Sequence, residues 1–242
     1  MKHFKRSLIC GLSAVLACGV LALAGCGDDP GDGNGEGAGS EVTAAQWAAA
    51  FSEANFTNFT YSSRAKQSSD MPEKPSQSLI AEIDVKIDTL TRRVYFTNTL
   101  TLVPSPAGPF LYEFYYTMEE DVPYMYSYDS TAQAWVKSED PDDNYTAEVR
   151  QLLPVFALFE KYDEFTYSNG EYVSEIEVIQ SGDENTAAGH VKKRVITFKN
   201  GLPATISTET DVYINGEYFQ TNRTTITFSD YGTTVVELPA VE

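Results

Sequence analysis

Three Asn-Gly pairs punctuate the last third of this chain, Asn169-Gly170, Asn200-Gly201 and Asn215-Gly216, and each stands between two runs that alternate apolar and polar residues. Both central residues of a type I′ turn need a positive φ, which asparagine and glycine tolerate. The pairs therefore predict an antiparallel meander, with strands over 165–167, 172–179, 191–199, 202–214 and 217–228. A final strand, Thr233 to Leu238, ends at Pro239. In the longest strand Leu202, Ala204, Ile206, Val212 and Ile214 share one face, opposite Thr205, Ser207, Glu209 and Asp211.

The same period of two runs through the earlier chain. Phe59, Tyr61 and Ser63 begin it. Leu79, Ala81, Ile83, Val85 and Ile87 then face one way, with Glu82, Asp84, Lys86 and Asp88 opposite. Val94, Phe96, Leu100 and Leu102 follow, then Phe110, Tyr112, Phe114, Tyr116 and Met118, then Val122, Tyr124, Tyr126 and Tyr128, and a short run at Trp135 and Val136. This makes about ten strands whose apolar sides form one continuous face. A sheet of that size curls and must cover the face.

Two helical patterns are available to cover it. Thr43 and Gln46 fit a capping box, Val42 and Trp47 a hydrophobic staple, and Trp47, Ala50, Phe51 and Ala54 recur at helical spacing, so a helix ends within 55–59. From about Thr146 to Tyr162, the residues Val149, Leu152, Leu153, Phe156 and Phe159 form a second stripe, which Pro154 breaks into two short helices. The fold class is mainly β with α (α+β): a curled antiparallel sheet, open as a half-barrel, with an N-terminal helix and a helical lid insertion.

The N-terminus carries a different signal. Lys2, Lys5 and Arg6 precede an apolar run from Leu8 to Ala24, which reads as a signal peptide over 1–25. A retained span would want about 20 apolar residues and a stop-transfer flank, whereas the acidic Gly27-Asp28-Asp29-Pro30 follows. Leu23-Ala24-Gly25-Cys26 resembles the lipobox of bacterial lipoproteins. That resemblance implies cleavage before Cys26, acylation of its thiol and new amino terminus, and residence on the extracytoplasmic face of a cell membrane. Cys10 and Cys18 leave with the signal, so the remaining chain has a single cysteine and folds on packing without an internal disulfide.

Residues 26–40 then form the lipidated cysteine and a glycine-rich acidic tether, which sets the folded domain, 41–242, about 20 Å from the anchor on average. The whole chain has a net charge of −18. Removing the three basic residues of the signal leaves 14 basic against 35 acidic ones, a charge of −21. Such a surface disfavours nucleic acid and is repelled by anionic headgroups, so acyl chains must supply the membrane contact.

Enzyme chemistry finds little support. The mature chain holds one histidine, His190, at a strand start, without a G-x-S-x-G or H-E-x-x-H motif. Glu113, Glu175 and Glu177 are candidate paired carboxylates, but they lie opposite the apolar face, as the wet side of a sheet does. Asp32 to Gly37 and Asp140, Asp142 and Asn144 faintly resemble calcium loops, yet Thr43 and Gln151 occupy the positions where the closing glutamate is required. No metal and no cofactor is expected.

An amphipathic helix, an antiparallel half-barrel and a mid-chain helical lid resemble the LolA/LolB lipoprotein-carrier fold. Together with the ending Ile226-Thr-Phe-Ser-Asp-Tyr-Gly232 and Val235–Pro239, the likeness is greatest to the LppX/LprG-type lipoproteins. It covers about 41–242 and implies a concave face that holds lipid or acylated ligands. The residues expected to line that cavity are Trp47 and Phe51 on the helix, Ile83, Val85 and Phe96 on the early strands, and Phe114 and Tyr116 on the aromatic one. Leu152, Phe156 and Phe159 in the lid and Ile206 in the meander complete it. The expected function is a membrane-anchored, monomeric lipoprotein that binds a hydrophobic or lipidic ligand, in the manner of a carrier. The alternative is an envelope protein- or glycan-interaction module with a filled core, which makes contact through loops such as 67–78 and 139–146.

Overall fold

A computed structural model describes residues 41–69, 77–104, 108–139, 159, 161–181, 187–214 and 216–241. Helix α1 (Ala44–Ala50) opens the domain. Thr43 Oγ1 accepts the Gln46 N–H at 3.3 Å and Gln46 Oε1 accepts the Thr43 N–H at 2.8 Å, so the capping box is closed from both sides. The helix is shorter than its apolar spacing predicts. Asn55 turns back and its Nδ2 donates to the carbonyls of Ala49 at 2.8 Å and Ala50 at 3.2 Å, which satisfies the helix end. Ala54 accordingly lies in a separate 3₁₀ turn, Glu53–Phe56, and not on α1.

Twelve strands follow. They are β1 (Asn58–Ser69), β2 (Gln77–Asp88), β3 (Arg93–Val103), β4 (Phe110–Glu119), β5 (Val122–Asp129) and β6 (Ala134–Glu139). After the intervening segment come β7 (Thr166–Ser168), β8 (Glu171–Ser174), β9 (Val178–Ser181), β10 (Ala187–Lys199), β11 (Leu202–Ile214) and β12 (Glu217–Ser229). They form one sheet in the order β6-β5-β4-β3-β2-β1-β12-β11-β10-β8-β7, with β9 also paired to β10. Every pairing is antiparallel, and the sheet is curled and unclosed. The first and last strands meet in its middle, so the two halves of the chain form its two arms.

The predicted run 172–179 is two strands, because 175–177 leave the ladder between β8 and β9. Turn chemistry follows the sequence: Asn169 and Gly170 have φ of 54° and 88°, and Asn200 and Gly201 have φ of 55° and 77°. The final strand expected over Thr233 to Leu238 does not form; the tail after β12 folds back onto β1 without joining the ladder. Asn58 clamps it there, donating from Nδ2 to the Thr234 carbonyl at 2.9 Å and accepting the Thr234 N–H at 2.8 Å. Most of the helical stripe expected from Thr146 onward, with Leu152 and Phe156, lies outside the described residues. Of its end, Phe159 and a 3₁₀ turn, Tyr162–Glu164, are described.

Candidate functional site

The pleat puts alternate residues of every strand on the inner face, and the register lines them up in tiers across the sheet. The first tier joins Phe59, Ile87, Val94, Tyr116 and Met125, from β1 to β5. The second joins Phe228, Tyr61, Val85, Phe96 and Phe114. Phe96 and Phe114 stack at 4.8 Å between centroids. On the other arm Ile226, Ile206, Ile196 and Tyr172 continue the third tier, which on β1 to β3 holds Ser63, Ile83 and Asn98.

Helix α1 docks on the β7–β8–β10 arm through Trp47. Its indole lies 4.9 to 5.5 Å, centroid to centroid, from the rings of Phe51, Tyr162, Phe165, Tyr172 and Phe198. Its Nε1–H donates to the Phe159 carbonyl at 2.6 Å. Tyr172 Oη accepts the Val42 N–H and donates to the Val42 carbonyl at 2.9 Å, which Tyr162 Oη also reaches at 3.1 Å. Burying large aromatic rings accounts for most of this docking, and their hydroxyl and indole groups fix the angle at which the helix enters. Phe56 in the following turn packs edge-on against Phe59 and Phe228 over the sheet centre.

Of the residues expected to line a cavity, Trp47, Val85, Phe96, Tyr116, Phe159 and Ile206 belong to this single apolar cluster, and Phe51, Ile83 and Phe114 pack against it. Leu152 and Phe156 lie outside the described residues, as does Cys26.

The expected continuous apolar face is corrected by the next two tiers. Ala65, Thr224, Thr208, Arg194 and Ser174 form the fourth, and Asn222, Thr210, Val191 and Val178 the fifth. Asn222, Thr224, Arg194 and Ser174 are each at most 2% exposed. Among the described residues, the inner-face atoms Ser63 Oγ, Asn98 Oδ1, Asn222 Nδ2 and Thr224 Oγ1 carry no hydrogen-bond partner. The alternation read from the sequence holds its phase from Ile206 to Val212 but not before it, where a bulge at Ala204 turns Pro203, opposite Phe198, inward in place of Leu202; hydrophobicity alone also passed over Thr208 and Thr210. The strand parity of Ile206 and Val212 already placed those two threonines inside.

Of the candidate chemical residues, His190 and Glu177 meet and Glu113 stands apart on the other arm. Glu113 stands on the outer face of β4, where it accepts from Tyr95 Oη at 3.1 Å. Burial and the Glu113 charge together push the Tyr95 hydroxyl up to about 12. Glu175 and Glu177 sit between β8 and β9 on the far arm. His190 Nδ1 lies 2.7 Å from Glu177 Oε1, and its ring centroid is 4.5 Å from that of Tyr213. Among the described residues no group of three or more histidine, cysteine or acidic side chains is placed to hold a metal, and no helix is long and apolar enough to cross a membrane. Both calcium-like loops lie outside them.

No protein-family model and no curated protein matches the chain. Among solved structures it is similar to a β-barrel-like protein with a domain of unknown function, DUF1849, from Brucella abortus, at 8% identity and a TM-score of 0.30, over 72% of this chain and 98% of that one. It is also similar to lipovitellin, in a structure describing lipid–protein interactions, at 11% identity and a TM-score of 0.34, over 76% of this chain and 26% of that one. Likenesses this distant do not bear on what this chain does.

Proposed function

We propose that this chain is a lipoprotein, held through acylated Cys26 on the extracytoplasmic face of a cell membrane, whose half-barrel binds a lipidic ligand on its inner face. The observation that carries the reading is the composition of that face. An apolar half, from Phe59 to Tyr116, is continuous with a half of buried hydroxyls and amides, in a sheet that does not close. A core that only had to fold would gain nothing from burying unpartnered polar atoms. The resemblance to the LppX/LprG-type lipoproteins supports the same reading, and a carrier role follows from it. The test is native mass spectrometry of residues 41–242, which contain every described element, purified without detergent. A persistent extra mass that extracts into organic solvent is the expected result. A clean protein mass, unchanged after incubation with envelope lipids, would overturn it.

A second reading rests on the outer face of the other arm. Tyr95, Tyr115, Trp135 and Tyr128 form a chain of rings with centroids 4.9, 5.2 and 5.7 Å apart, and Tyr128 is 51% exposed. Such a strip suits stacking on a glycan of the envelope. Retained glycan pull-down by a Trp135→Ala variant would exclude it.

A further inference from the structure

We infer that the unpartnered polar atoms of the inner face form a head-group subsite for an uncharged, hydroxyl- or ester-bearing amphiphile. This rests on the lipid-binding reading and adds the ligand's polarity and orientation to it.

Ser63, Thr224 and Asn222 lie on the adjacent strands β1 and β12. Thr224 faces Ala65 directly, which puts it diagonal to Ser63, and Asn222 follows two residues along the same face. Diagonal neighbours on one face are within about 7–8 Å. Asn98 shares the tier of Ser63 with Ile83 between them, so it stands two strand spacings, about 10 Å, away. All four residues are at most 5% exposed. The Asn222 carbonyl is engaged, accepting from Gln220 Nε2 at 2.7 Å, and this orientation leaves the amino group as the unpartnered one.

The chemistry of these atoms selects the ligand. Two hydroxyls and an amide N–H₂ can donate, and the Asn98 carbonyl can only accept. A head with both oxygen acceptors and a hydroxyl donor satisfies Ser63, Thr224 and Asn98 together, and Asn222, about 7 Å beyond Thr224 along β12, stands at its edge. A bare carboxylate or phosphate would face the Asn98 oxygen with no proton to offer. Arg194, in the tier of Thr224 with Thr208 between them, does not reverse this, since Glu164 balances its charge at 2.7 Å. The apolar tiers of Phe59 and Tyr61 lie on the other side, so the acyl chain runs toward Phe59 and Phe96 and the head rests beside Ser63, between Asn98 and Thr224. From Phe59 to Ser63 the part of the face left to the acyl chain extends about 13 Å along β1.

The test compares three probes by isothermal titration into residues 41–242: monoolein, oleate, and octadecane delivered from cyclodextrin. The variant is Ser63→Ala with Thr224→Val, which removes two hydroxyls at nearly constant shape. Wild type is expected to bind monoolein most tightly. The variant is expected to bind it about tenfold more weakly, the scale of two neutral hydrogen bonds, while binding octadecane as wild type does. Its thermal unfolding is expected at or above the wild-type temperature, because buried unpartnered hydroxyls have been removed. If octadecane and monoolein bind alike and the folded variant changes neither, the subsite is wrong and the lipid cavity stands. Tighter oleate than monoolein overturns the uncharged class. If no probe binds, the inference falls together with the lipid-binding reading.

Discussion

Arg194 Nη2 donates to Glu164 Oε2 at 2.7 Å, and this pair ties the inner face of β10 to the 3₁₀ turn that leads into β7. The guanidinium is 2% exposed. It also reaches Ser174 Oγ at 2.8 Å and the Ile176 carbonyl at 3.3 Å, and it lies 5.0 Å from the Phe165 ring centroid. The Arg194 hydrogen bond, seconded by Lys161, holds the Glu164 carboxyl below its ordinary range. Removing one partner leaves the other charge buried, which costs about 3–5 kcal/mol. Glu164→Gln is expected at the lower end, near 3 kcal/mol, since the amide still accepts one hydrogen bond. Arg194→Met combined with Glu164→Leu should recover most of that loss. Urea unfolding midpoints of the wild type and the two variants decide it, and a double variant no more stable than Glu164→Gln would refute the account.

Asp88 gives the fold a pH dependence of known sign. Burial raises its carboxyl pKa, but hydrogen bonds from the side chains of Thr91 and Asn58 and from the N–H groups of Thr91 and Leu90 outweigh burial and lower it. A carboxyl depressed on folding stabilises fully above its unfolded pKa, about 3.9. That contribution is lost as pH falls through the folded value. Asp88→Asn should therefore lower stability by a constant amount between about pH 5 and 7, and the gap should shrink as pH drops below about 4. Taking the difference cancels the relief of self-repulsion that any chain of net charge −18 feels on acidification. A gap that stays constant down to pH 2 would show that the Asp88 contribution is not electrostatic.

Trp47 is both a packing and a polar anchor, and two substitutions separate these roles. Trp47→Ala removes an indole 1% exposed among five rings and should cost about 3–5 kcal/mol. Trp47→Phe keeps most of the packing but leaves the Phe159 carbonyl without its 2.6 Å donor, at about 1–3 kcal/mol. No loss in thermal unfolding for Trp47→Phe would mean that the hydrogen bond contributes nothing, and equal losses for the two variants would mean that the ring packing does not.

What the sequence made legible follows from periodicity. Strand faces were readable wherever alternation was chemically sharp, as in Ile83, Val85 and Ile87 against Asp84 and Lys86, and Asn-Gly pairs marked hairpins by backbone need alone. The fourth and fifth tiers were readable only through the parity of Ile206 and Val212, which puts Thr208 and Thr210 inside, and not by hydrophobicity. Thr208, Thr210, Asn222 and Thr224 are polar residues buried on an inner face, and one-dimensional hydrophobicity assigns such residues to solvent. Only pairing β11 with β12 shows that Thr208 meets Thr224 and Thr210 meets Asn222. The early end of α1 was hidden for a similar reason. It depends on Asn55 reaching back to two carbonyls, a tertiary choice that the spacing of Trp47, Phe51 and Ala54 does not encode.

The Asn200-Gly201 turn lets backbone conformation be tested apart from space. Gly201 has φ of 77° and a methyl group there would meet nothing within 4 Å, so any cost of Gly201→Ala comes from forcing an L-residue into the left-handed region. That cost should be about 1–2 kcal/mol. Gly108 is equally open and has no positive φ, so Gly108→Ala should instead gain about 0.4–1 kcal/mol by restricting the unfolded chain. The two variants should thus move the unfolding midpoint in opposite directions although neither creates a clash. If both destabilise, the segment around Gly108 needs a conformation that alanine resists. If neither does, the hairpin between β10 and β11 is set by its side-chain pairs, such as Thr197 with Thr205 at 2.7 Å, rather than by its turn.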